Sequence, residues 1–322
     1  MASRDKEPTD RPNLNREELL ARRETQRRER DRRTKRQRLL AGGSLATVAI
    51  TAVAILLATA GGDSTGRGSH FSRIATETST APSGSVKSTG LVRSSTPQGD
   101  WEPHTGPVPI LEYHVLGAAP AGAPYPELYV SRPDFHRQMD WLEEHGYQAV
   151  TLEQVGRAWY HGGTMPPKPV VVSFDDGYRP QFTFALPQLR KHGWAGVLNL
   201  KAEGSDLYES NVKAMIDAGW ELAAHTIHHS DLTTLDAAAL EEEVAGSREI
   251  LRRDYGVPVK DFCYPAGRFD DTVIAAVEAA GYVGATTELP GYAESGSPYE
   301  LARFEILGSS GVSGLEEDLA SG

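Results

Sequence analysis

The chain has 322 residues, with 33 Lys and Arg against 44 Asp and Glu, for a formal net charge of -11. Residues 1–38 hold 14 basic and 8 acidic side chains, so the remainder carries 19 against 36, a balance of -17. A body that acidic excludes a nucleic-acid-binding surface and tight electrostatic capture of an acidic polymer, and it suits a neutral or cationic substrate.

The first element is the basic arm, residues 1–38, whose interspersed Glu17, Glu18, Glu24 and Glu29 suit a solvated helix with i,i+4 pairs. Residues 39–60 contain no charge and would span roughly 30 Å as a helix, enough to cross a bilayer. Because the arginine-rich arm precedes this span, the positive-inside rule places the N-terminus in the cytoplasm and the C-terminal bulk outside. Ala58-Thr59-Ala60 resembles a cleavage site, but a charged region of 38 residues is long for a signal peptide, which favours an uncleaved anchor. Residues 61–105 are rich in Gly, Ser, Thr and Pro and read as a flexible spacer.

From residue 106 to 322, short apolar runs alternate with amphipathic stretches, the pattern of repeated strand and helix units. Candidate strands cover 108–114, 170–174, 196–200, 221–224, 262–264, 284–287 and 302–307. Ser131 caps a helix over 134–145 that Gly146 stops. Thr151 or Glu153 opens another that reaches Tyr160, and a third runs over 236–255 to Gly256 and Pro258. Seven or so strands imply a closed or nearly closed α/β barrel, with its chemistry on the loops after the strands' C-terminal ends. The single cysteine, Cys263, excludes a disulfide framework and a cysteine-rich metal site, and its setting reads as a core strand.

Two strand ends carry chemistry. The run Val171-Val172-Ser173-Phe174 stops at Asp175-Asp176-Gly177-Tyr178; neighbouring strand-end residues point different ways, so one Asp can ligate a metal while the other faces a substrate. A plain Asp-Asp-Gly turn accounts for the same letters. After the strand at 221–224 comes His225-Thr226-Ile227-His228-His229, where His225 and His229, four apart, can aim at one ion while His228 points away. Asp176 with these two histidines would give three ligands with open positions for water and substrate.

With Phe262-Cys263-Tyr264-Pro265-Ala266-Gly267, these motifs resemble, in order, those of the polysaccharide deacetylases, the NodB-homology or carbohydrate esterase 4 family, over about residues 107–307. The resemblance implies a distorted (β/α) barrel, Asp175 as catalytic base, and Asp176, His225 and His229 as ligands of a divalent metal. Zinc is expected first, with cobalt or nickel able to substitute. The opening Pro109-Ile110-Leu111-Glu112-Tyr113-His114 is similar to the branch acting on poly-β-1,6-N-acetylglucosamine, in which an early histidine serves as general acid. His114 matches that position, and no histidine follows His229. The arginine usual in the third motif is missing. Arg303 in the last strand either orients Asp175 in its place or makes a surface ion pair.

The implied partners are an N-acetylated polysaccharide and the lipid bilayer, with no nucleic acid. Tyr178 offers a backbone N–H to an oxyanion, and Tyr178 and Tyr264 offer rings to a sugar, whereas Trp194 reads as core. Two other functions fit the residues alone: metal-dependent removal of O-acetyl groups from a xylan-like polymer, and binding of a wall carbohydrate without turnover. A serine esterase does not fit, because residues 106–322 contain no Gly-x-Ser-x-Gly elbow between strand and helix.

Overall fold

The computed structural model describes residues 100–321. The basic arm, the apolar span at 39–60 and most of the spacer lie outside the described residues. Among the described residues no helix is long and apolar enough to cross a membrane.

The body is α/β. Strand β1 (Ile110–Tyr113) is followed by helix α1 (Arg132–Glu144), the short β2 (Gln148–Ala149), α2 (Leu152–His161), β3 (Pro169–Asp175), α3 (Leu186–Lys191), β4 (Val197–Leu200), α4 (Glu209–Asp217) and β5 (Glu221–Ala224). Then come α5 (Ala237–Glu241), α6 (Ser247–Tyr255), β6 (Asp261–Cys263), α7 (Asp271–Ala279), β7 (Gly284–Thr286), β8 (Phe304–Glu305) and α8 (Gly311–Leu319). Seven strands form a parallel sheet in the order β7-β6-β5-β4-β3-β1-β8, and β2 pairs with β3 beside it. The curled sheet nearly closes. Thr286 at the end of β7 bridges to Leu301, two residues before Arg303 and three before the start of β8.

Local chemistry sets the helix ends. The Ser131 hydroxyl accepts the Asp134 N–H, and Phe135, Met139 and Leu142 bury one face of α1 at i, i+4 and i+7. Thr151 and Gln154 form a reciprocal capping box on α2. Asp236 caps α5, which a π-helical turn at Glu242–Gly246 joins to α6, so the long helix expected over 236–255 is two segments around that turn. The last strand shrinks from the expected 302–307 to Phe304–Glu305. The body also begins earlier than its composition suggests. Trp101 is buried and donates to Gln148, and Glu102–Pro103 pairs with Thr164–Met165, so these spacer-like residues belong to the fold.

Alternation along the strands makes the two sides of the sheet different. Tyr113, Phe135, Phe174 and Trp220 pack ring to ring between sheet and helices. The opposite file starts from a separate apolar layer that includes Ile110, Val171, Val197 and Ala223. Two residues on in each strand that file turns polar: Ile110 leads to Glu112 and His114, Val171 to Ser173 and Asp175, Val197 to Asn199 and Lys201, Ala223 to His225. The concave interior is therefore apolar at the strands' N-terminal ends and polar at their C-terminal ends.

Candidate functional site

Asp176 follows β3 directly, and His225 follows β5. The Asp176 Oδ1 lies 3.8 Å from His225 Nε2 and 3.6 Å from His229 Nε2. Those separations are too long for hydrogen bonds. Two donors each about 2.1 Å from one tetrahedral ion stand about 3.4 Å apart, so the three atoms have the spacing of ligands around a shared cation. The His225 Nδ1 is 2.8 Å from the Cys263 carbonyl; a carbonyl only accepts, so Nδ1 carries the hydrogen and Nε2 keeps its lone pair toward Asp176. Burial pushes the pKa of His225 down to about 4, which keeps that ring neutral and able to ligate. Burial works against the charge of Asp176, but the imidazoles of His225, His114 and His229 and the Lys201 ammonium, 3.7 Å away, hold its pKa below the usual carboxylate value.

The backbone aims these donors at some strain. Of the four non-glycine residues with positive φ among the described residues, three are Asp176 (75°), Thr226 (65°) and His229 (61°). Gly177 (φ 76°) must be glycine, since a Cβ there would sit 2.6 Å from a Leu200 methyl and 2.9 Å from Ser205 Cβ. The histidine loop is pinned by Glu243, whose carboxylate accepts the N–H groups of Ile227 and His228 at 3.0 Å and the Ser230 hydroxyl at 2.9 Å. His228 turns outward onto Glu243, with Nδ1 at 2.7 Å and over half of its side chain exposed.

Asp175 sits deeper. Arg303, 1% exposed, grips it with two parallel bonds, Nη1 to Oδ1 and Nη2 to Oδ2, both 2.9 Å, while the Asn199 amide donates to Oδ1 at 2.7 Å. Burial alone would raise the pKa of Asp175; the Arg303 guanidinium overrides it and holds the carboxyl ionised, far below its ordinary range. Glu112, fully buried, lies 3.3 Å from Arg303 Nη2 and 3.8 Å from His114 Nε2, with neither carboxyl oxygen hydrogen-bonded. Burial raises its pKa well above that of an ordinary Glu despite the arginine. Two other donor clusters, Asp175-His225-Cys263 and Glu112-His114-Asp175, are as compact as the Asp176 set. Both are poor cation sites, because Arg303 already holds Asp175 and Glu112 and burial keeps the Cys263 thiol protonated.

Residues 162–285 match the polysaccharide deacetylase family. YxkH of Bacillus subtilis, named as a polysaccharide deacetylase, is 29% identical over 212 residues, covering 64% of this chain and 73% of that protein. This chain carries a polysaccharide deacetylase domain. The poly-β-1,6-N-acetyl-D-glucosamine N-deacetylase of Escherichia coli K12 is 36% identical over 95 residues, 30% of this chain and 14% of that protein. Among solved structures, the polysaccharide deacetylase BC0361 of Bacillus cereus superposes with a TM-score of 0.59 at 28% identity, covering 66% of this chain and 69% of that one. Polysaccharide and peptidoglycan N-deacetylases among the relatives are hydrolases acting on carbon-nitrogen bonds, and deacetylases of this family depend on a metal.

Within the deacetylase domain the structure brings together Asp175, Asp176, His114, His225, His229 and Arg303; it corrects the expectation for Tyr264 and decides between the two readings of Arg303. Tyr264 is fully buried, its ring stacked on Phe269 and its hydroxyl on the Tyr299 carbonyl, so it cannot stack on a sugar. Arg303 is no surface ion pair, nor does it reach a substrate; it is the buried clamp on Asp175. Tyr178 stays half-buried beside Asp176, whose charge together with burial raises the phenol's pKa. Trp194 is buried against the core. Sequence reasoning missed Glu112, Asn199, Lys201 and Glu243. The first three were signalled by polar residues at alternate positions of apolar strands, while Glu243 had no signal, since it lies on a helix surface pattern.

Proposed function

We propose that this chain is a metal-dependent N-deacetylase of an N-acetylglucosamine-containing polysaccharide, with zinc as its metal. The catalytic body, residues 106–322 together with the Trp101 segment, is held outside the cell by a membrane anchor at 39–60 and a spacer. The observation that carries this reading is the convergence of Asp176 Oδ1 with His225 Nε2 and His229 Nε2, directly beside the arginine-clamped Asp175. The match to the poly-β-1,6-N-acetyl-D-glucosamine enzyme supports that polymer as the first substrate to test.

Asp176, His225 and His229 would hold the ion, which when bound supplies Lewis acidity toward the acetyl carbonyl and acidifies water. Asp175 takes the proton of the attacking water. Of its two oxygens, Oδ2 is the less engaged, since its partner besides Arg303 is only the weak Cys263 thiol at 3.4 Å. The Tyr178 backbone N–H donates to the developing oxyanion. His114, close to both Asp175 and Glu112, delivers a proton to the departing amine nitrogen, so that acetate and a free amine leave.

The test is acetate release from N-acetylglucosamine oligomers by the full chain, before and after chelation and with Zn²⁺ or Co²⁺ restored, alongside O-acetylated xylan oligomers. Release from the amide substrates that a chelator abolishes and metal restores is the expected result. Activity that survives chelation, or that appears only on the O-acetyl esters, overturns the proposal.

A further inference from the structure

We infer that Tyr208, backed by Arg179, is a sugar-stacking subsite for a pyranose ring next to the unit being deacetylated. The inference rests on the reading of the substrate as a polysaccharide and adds where the polymer lies. Three large hydrophobic side chains are conspicuously exposed among the described residues, Tyr160, Tyr208 and Val283, and single exposed side chains of this kind are ordinary on a protein surface. Their positions distinguish them. Tyr160 lies near the end of α2, which returns the chain to the start of β3, and Val283 immediately precedes β7, so both belong to the sheet's N-terminal side. Tyr208 lies on the loop after β4, on the C-terminal side with Asp176 and the histidines, and it is 59% exposed.

That loop is fastened to the catalytic loop. The Asp206 N–H donates to the Gly177 carbonyl at 3.0 Å, and Leu207 is buried beneath it. The Tyr208 backbone is locked at the start of α4, where its N–H donates to Asn211 Oδ1 at 3.1 Å and its carbonyl accepts the Asn211 N–H at 2.8 Å. The ring is held as well, because the Arg179 guanidinium, three residues after Asp176, lies 4.8 Å from its centroid. One ring face is thus taken by a cation and the rest is exposed, on a loop bonded to the one that carries Asp176. A flat, rigid, amphipathic ring of this kind binds the C–H face of a pyranose with little loss of conformational entropy, and Arg179 adds N–H donors for its hydroxyls or acetamido oxygen.

The experiment uses the zinc-loaded full chain with free N-acetylglucosamine and its β-1,6-linked oligomers up to the hexamer, and Tyr208→Ala and Tyr208→Phe variants. Tyr208→Ala is expected to raise KM for the dimer and longer oligomers, by about tenfold for the hexamer, while KM for the monosaccharide, which cannot reach the subsite, does not rise. Tyr208→Phe keeps the wild-type profile. The inference is overturned if Tyr208→Ala retains the wild-type dependence on chain length, or if Phe loses as much as Ala. Hexamer binding by calorimetry separates this from the catalytic proposal. A wild-type chain that releases no acetate, but binds the hexamer in a Tyr208-dependent way, keeps the subsite and removes the proposed reaction. Binding that is absent, or indifferent to Tyr208, removes the subsite.

Discussion

Replacing Arg303 by Met tests how the interior of this barrel is held together. Methionine is similar in length and apolar, but it offers no donor in place of the two 2.9 Å bonds to Asp175 and the 2.8 Å bond from Nε to the Thr287 carbonyl. Asp175, 2% exposed, would keep only Asn199 and the Cys263 thiol. Breaking a buried ion pair from one side costs about 3–5 kcal/mol, whereas an exposed pair is worth about 0–1 kcal/mol. For a domain of this size the larger figure corresponds to a fall in Tm on the order of 10 °C. The assay is a double-mutant cycle by urea and thermal unfolding of the metal-stripped protein, with Arg303→Met, Asp175→Asn and the double variant. Arg303→Met should be the least stable, and adding Asp175→Asn should restore about 2–3 kcal/mol, because the stranded charge is then gone. If Arg303→Met costs less than about 1 kcal/mol, or the two changes are simply additive, the clamp is not what stabilises the interior.

Zinc at about a hundred times its Kd should stabilise the protein by about 2.7 kcal/mol, a rise in Tm of several degrees, and His225→Ala or His229→Ala should abolish that rise; a shift that persists in both would place the ion elsewhere. Glu243→Ala should loosen the histidine loop and weaken zinc affinity by about 10–100-fold in a competition titration, while Glu243→Gln loses less; unchanged affinity in both would detach Glu243 from ligand positioning. Asp261, at the N-terminal end of β6, is pushed well above the usual Asp pKa by burial and then by the neighbouring Glu221 carboxylate. The folded state therefore holds a proton that the unfolded chain releases near pH 4, so stability falls as pH rises above about 4 and stays reduced beyond the folded pKa. Asp261→Asn should flatten that decline and raise Tm at pH 7; melts across pH 4–8 check it, and a lower Tm at pH 7 would contradict it.

The strands were legible because buried parallel strands read as continuous apolar runs, as Val170 to Phe174 does. The placement of chemistry at their C-terminal ends followed from barrel geometry. What escaped was the register of the polar residues inside those runs. Glu112, Ser173, Asp175 and Asn199 occupy alternate positions, which marks them as one inward file, but an isolated polar residue in a strand is equally well a surface position until the sheet closes. Arg303 was half legible, since orienting Asp175 and a surface ion pair fitted it equally: its partner is 128 residues away, and only closure beside β8 sets the two side by side. Tyr264 misled in the opposite direction, since its place in a motif suggested contact with a substrate while the ring packs on Phe262 and Phe269.

The charges of the interior follow from that closure. Arg303 and Asp175 cancel, so an ionised Glu112 beside them would leave one net negative charge in a buried layer. The raised pKa of Glu112 removes that charge by keeping the proton, and the layer is neutral. Asp176 stands apart at the rim, where imidazoles and the Lys201 ammonium at 3.7 Å, rather than a guanidinium, face it. The strained φ values of Asp176, Thr226 and His229 fall in the same two loops, each costing about 1–3 kcal/mol. Local bonds offset that cost, among them Asp176 N–H to the Asn199 carbonyl at 3.1 Å and His229 N–H to Thr226 Oγ1 at 2.8 Å. Three of the four strained non-glycine residues among the described residues thus gather around one carboxylate and two imidazoles, an arrangement suited to receive a cation there, while the neutral layer beneath can fix Asp175 without competing for it.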